Sequence, residues 1–276
     1  SGITYDKYYA SEIDESAIKI TQANYPNTIQ LGDIEKWRNW DIDWRSIDLI
    51  LAGSPCQGFS LIGKRLDFED PRSRLFFVFI DILNHVKTLN PSVKFLLENV
   101  RMKDYCRQIV SQHIGVDYIS INSRLLTGQN RPRLYWCNWH VSQPDDEGIL
   151  LQDILETGVP SDSIISGARK KWIYKNLATK LNKYYTIDRE KAQCLTRRGD
   201  AGWNCTYVTR EGILTRLTPI EWERLQGVPD NYTKGASNAQ RYQMLGNGWT
   251  VDVVVHILQG IDSTQEPKSK QLLLDF

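Results

Sequence analysis

A chain of 276 residues, 41% of them hydrophobic, is long enough for one large domain, or a large domain with a small insert, around a substantial core. Its formal net charge of +1 neither supports nor excludes a nucleic-acid partner, and any basic surface has to be local. The five cysteines are scattered with no Cys-x-x-Cys pair, the four histidines show no zinc spacing, and no signal peptide or long apolar span stands out; an intracellular, cytoplasmic protein without a metal is expected.

In chain order, Tyr5 to Ser11 reads as a strand ending at Glu12, and Asp14 caps a helix whose apolar spacing runs through Ala17, Ile18, Ile20, Ala23 and Tyr25. Thr28 to Leu31 reads as a second strand ending at Gly32-Asp33. Each strand therefore finishes on a carboxylate, the position at which a βαβ series holds ribose hydroxyls or an adenine amino group. A capping aspartate and a solvated glutamate are the ordinary alternative.

The apolar run Ile47 to Leu51 reads as a buried strand, followed by Ala52-Gly53-Ser54-Pro55-Cys56-Gln57-Gly58-Phe59-Ser60. Gly53 and Pro55 are read as ending the strand, which leaves Cys56 on a turn at its carboxyl end, where open α/β sheets bind ligands. A thiol there is either a nucleophile or a small buried hydrophobe. Gly58 to Arg72 is long and charged, either a lid or a surface loop. A helix from Ser73 ends before Pro91, and the strand Phe95-Leu96-Leu97 delivers Glu98-Asn99-Val100 to the same edge as Cys56. A carboxylate at a buried strand end with a raised pKa is suited to act as an acid.

A helix from Tyr105 to Ile114 leads to a strand from Asp117 to Asn122, then to Gln129-Asn130-Arg131-Pro132-Arg133. Arginines two apart at the start of a strand share one face, where they clamp a carbonyl oxygen or phosphate, or form separate surface ion pairs. This alternation predicts a mainly parallel sheet covered on both faces. From about Asp145 to Gly212 the pattern weakens, and basic residues including Arg169, Lys170, Arg189, Arg197 and Arg198 mix with aromatics, suiting either a DNA backbone or a solvated face. Thr218, Pro219 and Glu221 form a helix-starting capping box, Gly246-Asn247-Gly248-Trp249 a tight turn, and Thr250 to about Gln259 a last helix.

Ser54-Pro55-Cys56-Gln57, Glu98-Asn99-Val100, Gln129-Asn130-Arg131-Pro132-Arg133, Arg216-Leu217-Thr218-Pro219 with Glu223-Arg224-Leu225-Gln226-Gly227, and Gly246-Asn247 occur in this order. Together they resemble the DNA cytosine-5 methyltransferases, specifically the compact bacterial and phage enzymes and the catalytic domain of the vertebrate de novo enzymes. The resemblance implies a Rossmann-like, S-adenosylmethionine-dependent methyltransferase sheet with helices on both faces (1–144 and 213–262), a small irregular target-recognition insert (145–212) and a tail (263–276). It implies Cys56, Glu98, Arg131 and Arg133 as catalytic residues, and Glu12, Ile13, Asp33, Ile34, Pro55, Asn247 and Trp249 around the cofactor. Double-stranded DNA is the implied partner, its target base flipped out of the stack.

The family's first motif, a Phe-x-Gly-x-Gly turn after the first strand, is absent, since Ser1-Gly2-Ile3 begins downstream of it. About twenty native residues are expected to precede the chain, the size of one strand-turn-helix unit. A methyltransferase acting on transfer RNA and a non-catalytic DNA-binding paralogue are the other readings. Ser54 speaks against the first, where the RNA-directed branch usually shows proline; the retained Cys56, Glu98, Arg131 and Arg133 speak against the second, and the missing first motif for it. The tail ends in Gln271-Leu272-Leu273-Leu274-Asp275-Phe276. It is similar to peptides that dock on bacterial sliding clamps through residues at the positions of Gln271, Leu274 and Phe276; packing on the chain's own domain is the alternative.

Overall fold

A computed structural model describes residues 2–53, 71–177, 185–198 and 205–261. Pro55, Cys56, most of the loop after them, and the tail with Gln271, Leu274 and Phe276 lie outside the described residues.

The chain opens as a small parallel βαβ unit: β1 (Tyr9–Ala10), α1 (Glu15–Asn24) and β2 (Ile29–Gln30), with Tyr9 opposite Ile29. These strands are shorter than the sequence pattern predicts, because only the two registered pairs Tyr9↔Ile29 and Ala10↔Gln30 form ladder contacts. Asp14 caps α1 as expected, its carboxylate accepting from the backbone N–H of Ser16 at 2.9 Å and of Ala17 at 3.2 Å.

The central sheet contains β3 (Leu49–Gly53), β4 (Lys94–Val100), β5 (Tyr118–Asn122) and β6 (Pro132–Cys137), in the order β3-β4-β6-β5. Between them run α2 (Pro71–Leu89) and α3 (Asp104–Ile114). The strand β3 pairs parallel with β4, placing Gly53 opposite Glu98, so Gly53 extends the strand rather than ending it. The expectation of a mainly parallel sheet is corrected at β6, which runs antiparallel to both neighbours. Its link to β5 is too short for the crossover helix that a parallel return needs.

Alternation along β4 and β6 divides the core. Phe95, Leu97, Leu134 and Trp136 face α2 and α3, against Phe76, Leu83, Val110 and Ile114. Leu96, Tyr135 and Cys137 face the other way, onto Val253 and Ile257 of a helix near the end of the chain. Each such side chain contributes about 1.5–3 kcal/mol when fully buried. The same parity puts Glu98 and Arg133 on the Leu96 and Tyr135 side.

The insert is more regular than the sequence suggests. Helix α4 (Gly167–Leu177) is followed by β7 (Tyr185–Ile187), β8 (Cys205–Arg210) and β9 (Ile213–Arg216), a small sheet reaching beyond residue 212. The β8–β9 turn places Glu211 and Gly212 at φ 51° and 76°, the left-handed pair that a tight hairpin requires. Ile165, Ile173, Cys205, Tyr207 and Leu214 form its core.

The chain then returns to the sheet with α5 (Pro219–Leu225), α6 (Asn238–Asn247) and α7 (Val251–Leu258). The Thr218–Glu221 capping box forms as expected. Gly246 and Asn247 belong to the last turn of α6 rather than to a separate tight turn, and Ser237 and Gln240 start that helix with a capping box of their own.

Candidate active site

The site grows from the strand parity just described. Glu98 and Arg133, both 12% exposed in their side chains, meet with Nε 3.0 Å from the carboxylate. Burial raises the Glu98 pKa, and the charges of Arg133 and Arg131, with hydrogen bonds from Trp249 and Arg133, offset part of that rise. The result is a carboxyl group disposed to hold a proton.

Trp249 closes the third side. A Cβ built on Gly53 would lie 2.9 Å from the indole nitrogen, so the ring rests directly on the bare backbone at the end of β3. Glycine there admits the close approach, and Gly53→Ala is expected to push the indole away from Glu98.

Arg131, 4% exposed, is directed inward rather than towards a phosphate. Nη1 donates to the carbonyl of Leu195 at 2.8 Å, and Nη2 to those of Gly248 at 2.8 Å and Gly246 at 3.2 Å. The arginine thereby ties the start of β6 to two distant segments. A buried amide network lies behind it. Gln129 donates to the Leu225 carbonyl and the Gln226 side chain and accepts from the Leu195 N–H, while Gln226 donates to the Gly248 carbonyl and accepts from Thr250. The motifs mark Gln129 and Gln226 without showing that they touch each other.

This packing sets the cost of two substitutions. Arg131→Ala is expected to lower unfolding free energy by about 3 kcal/mol in urea titration, because buried carbonyls are left without their donors. Gly246→Ala is expected to destabilise comparably, since its Cβ would lie 2.3 Å from the Thr196 backbone carbon and 2.5 Å from the Arg197 nitrogen.

The residues expected around the cofactor fall into two groups. Trp249 is beside Glu98, with Asn247 exposed just before it. Glu12 lies past the end of β1, one carboxylate oxygen accepting from the N–H groups of Ile13 at 2.7 Å and Asp14 at 2.8 Å. Ile13 is 74% exposed. Asp33 caps the 3₁₀ turn Ile34–Asn39 through the Glu35 N–H, and Ile34 packs beside Trp37. Helix α6 joins the groups: Gln240 donates to Ser16 at 2.7 Å and Gln243 to Asp14 at 3.2 Å, while the C-terminal end of the helix leads into Trp249. Carboxylates that follow the strands of a βαβ unit, with an exposed apolar side chain next to Glu12, suit a purine riboside, whose ring needs cover and whose hydroxyls need acceptors.

Among the described residues no group of three or more His, Cys, Asp and Glu is placed to hold a metal, and no helix is long and apolar enough to cross a membrane.

A mixed α/β sheet with helices on both faces, a buried acid at a strand end and strand-end carboxylates define the architecture of an S-adenosylmethionine-dependent methyltransferase. The solved Entamoeba histolytica methyltransferase EhMeth shares this fold with a TM-score of 0.72 at 16% identity, over 95% of this chain and 91% of that one. Type II methyltransferase M1.ScrFI of Lactococcus lactis subsp. cremoris is 30% identical over 295 residues, covering 95% of this chain and 73% of its own. Type II methyltransferase M.NgoBV of Neisseria gonorrhoeae is 35% identical over 178 residues, 56% of this chain; the match spans 41% of that protein's length. Residues 1–112 and 127–263 match the C-5 cytosine-specific DNA methylase family, and the chain belongs to it.

Proposed function

We propose that this chain transfers a methyl group from S-adenosylmethionine to C5 of a cytosine flipped out of double-stranded DNA. The observation supporting it most directly is the Glu98–Arg133 pair, opposite the strand end from which Ser54-Pro55-Cys56-Gln57 continues. Cytosine is a poor electrophile, so Cys56 thiolate adds at C6 as protonated Glu98 gives its proton to N3; the new S–C bond then places electron density on C5. Arg133 holds the base carbonyl and orients Glu98. S-adenosylmethionine, when bound, supplies the electrophilic methyl group. Glu12 and Asp33 would hold its ribose and adenine, and Ile13, Ile34, Pro55, Asn247 and Trp249 would complete its pocket. Loss of the C5 proton to a water-derived base expels the Cys56 thiolate, and return of the N3 proton to the Glu98 carboxylate restores the neutral ring and the acid.

DNA approach is supported by local charge. Arg197 and Arg198 are exposed and follow directly on Cys194-Leu195-Thr196, the segment in contact with Arg131. Nearby, Asn130 and Gln193 line a polar recess of about 620 Å³ in which the exposed Arg124 and Arg189 are balanced by the exposed Asp188 and Glu190, so the recess adds little positive charge of its own. Arg197→Ala/Arg198→Ala is expected to weaken duplex binding and make its salt dependence shallower by about one unit for each phosphate left without its arginine. Unchanged binding would mark these arginines as solvated only.

The setting proposed is the bacterial cytoplasm, on the nucleoid. There the tail would dock on a sliding clamp through Gln271, Leu274 and Phe276. Fluorescence polarisation of a labelled Lys268–Phe276 peptide tests this contact, with Leu274→Ala/Phe276→Ala as control. Bisulfite sequencing of duplex DNA incubated with protein and cofactor tests the reaction, with transfer RNA in parallel. Methylcytosine confined to the RNA overturns the DNA assignment, and none in either overturns the activity.

A further inference from the structure

Cys194 stands in the site without a part in the chemistry just described. Its sulfur is 3.6 Å from Nη1 of Arg131, 3.6 Å from Nη2 of Arg133 and 3.5 Å from the carbonyl oxygen of Leu195. A thiol has a single weak S–H donor and accepts weakly through its sulfur. These contacts assign the S–H to the Leu195 carbonyl and the sulfur lone pairs to the two guanidinium groups.

The arginines are held unequally. Arg131 is fixed by the carbonyls of Leu195, Gly246 and Gly248. Arg133 reaches the Glu98 carboxylate through Nε at 3.0 Å and its neighbour's Pro132 carbonyl through Nη1 at 3.0 Å. Its Nη2 reaches Cys194. Like charges on one face of a strand end repel, and an acceptor between them relieves that repulsion. Sulfur, with its longer contact distance, spans both groups; a hydroxyl oxygen, reaching about 2.9 Å, satisfies one well and the other poorly.

We propose that Cys194 is a positioning residue for the reaction: its sulfur bridges the fixed guanidinium of Arg131 to that of Arg133 and so holds Arg133 against the Glu98 carboxylate. The inference rests on the proposed function for its catalytic consequence, but the contact itself can be read without turnover. Positive charge beside a carboxylate favours the ionised form, so release of Arg133 lets Glu98 keep its proton to higher pH.

The test compares the parent chain with Cys194→Ala and Cys194→Ser. Glu98 is titrated by carbonyl-labelled glutamate NMR in the protein without DNA, assigned through Glu98→Gln. The alanine variant is expected to titrate higher by about half a pH unit or more, and the serine variant by less. Where turnover is measured, kcat of the alanine variant is expected to fall about tenfold with KM for DNA unchanged, serine restoring part of it. A Glu98 titration unmoved in the alanine variant overturns the proposal. Should that variant not fold, the serine variant decides alone: a rise supports the bridge, and no rise overturns it. A shifted titration in a protein that methylates nothing would retain the bridge and reject the proposed function.

Discussion

Cys56→Ser is expected to abolish methyl transfer, with turnover reduced at least about 10³-fold, the scale on which an enzyme feels the loss of its covalent nucleophile. The hydroxyl is close to the thiol in size but far less acidic, so it offers almost no anion at neutral pH to add to the cytosine ring. Duplex affinity should change little, because phosphate contacts dominate it and the substitution removes no charge. Covalent trapping makes the test sharper. DNA carrying 5-fluorocytosine at the target should form an adduct stable to denaturation in the presence of cofactor, since fluorine at C5 blocks the elimination that releases the enzyme. Peptide mapping should find the adduct on Cys56. Binding without any adduct would overturn the covalent mechanism and leave the family assignment untouched.

Glu98→Gln is expected to reduce turnover about 10²- to 10⁴-fold, the usual contribution of a positioned general acid, while the protein remains folded. Glutamine keeps the size and the acceptor for Arg133 and Trp249 but cannot give up a proton. Its effect on stability has a sign that can be worked out. Because burial raises the folded pKa of Glu98 above its ordinary value, the folded state binds the proton more tightly than the unfolded chain does. The associated stability is fully present below the unfolded pKa and is lost as pH rises through the folded pKa. Glu98→Gln should therefore remove this loss, making the melting temperature less sensitive to pH in that interval. In the parent enzyme, kcat should fall on the alkaline side as Glu98 ionises. A variant with parental turnover, or a melting profile as steep as the parent's, would remove Glu98 from the acid's role.

Much of this arrangement was legible from local pattern. Asp14 and the Thr218–Glu221 box stop and start helices through hydrogen bonds that span only a few residues, so their spacing alone identifies them. Alternation along Phe95-Leu96-Leu97-Glu98 fixes which face Glu98 shares with Leu96, because strand geometry leaves no other choice. Strand direction was not legible in the same way. The sequence pattern makes β6 a buried strand, but the run of residues from β5 permits only an antiparallel return, and that became clear when its partners were known.

By itself, then, the sequence determined the family, the strand that carries the Glu98 carboxyl group and the order of the contiguous motifs, Ser54-Pro55-Cys56-Gln57 among them, because these are contiguous runs whose pattern is local. Tertiary structure alone decided that Arg131 serves the Leu195, Gly246 and Gly248 carbonyls, that α6 ties the Glu12 end of the molecule to Trp249, and that Cys194 lies between two arginines. The physical reason is reach. These contacts join side chains to groups that are 61 to 224 residues apart, and a buried donor takes whichever acceptor the packed core brings to it rather than one its neighbours in sequence announce.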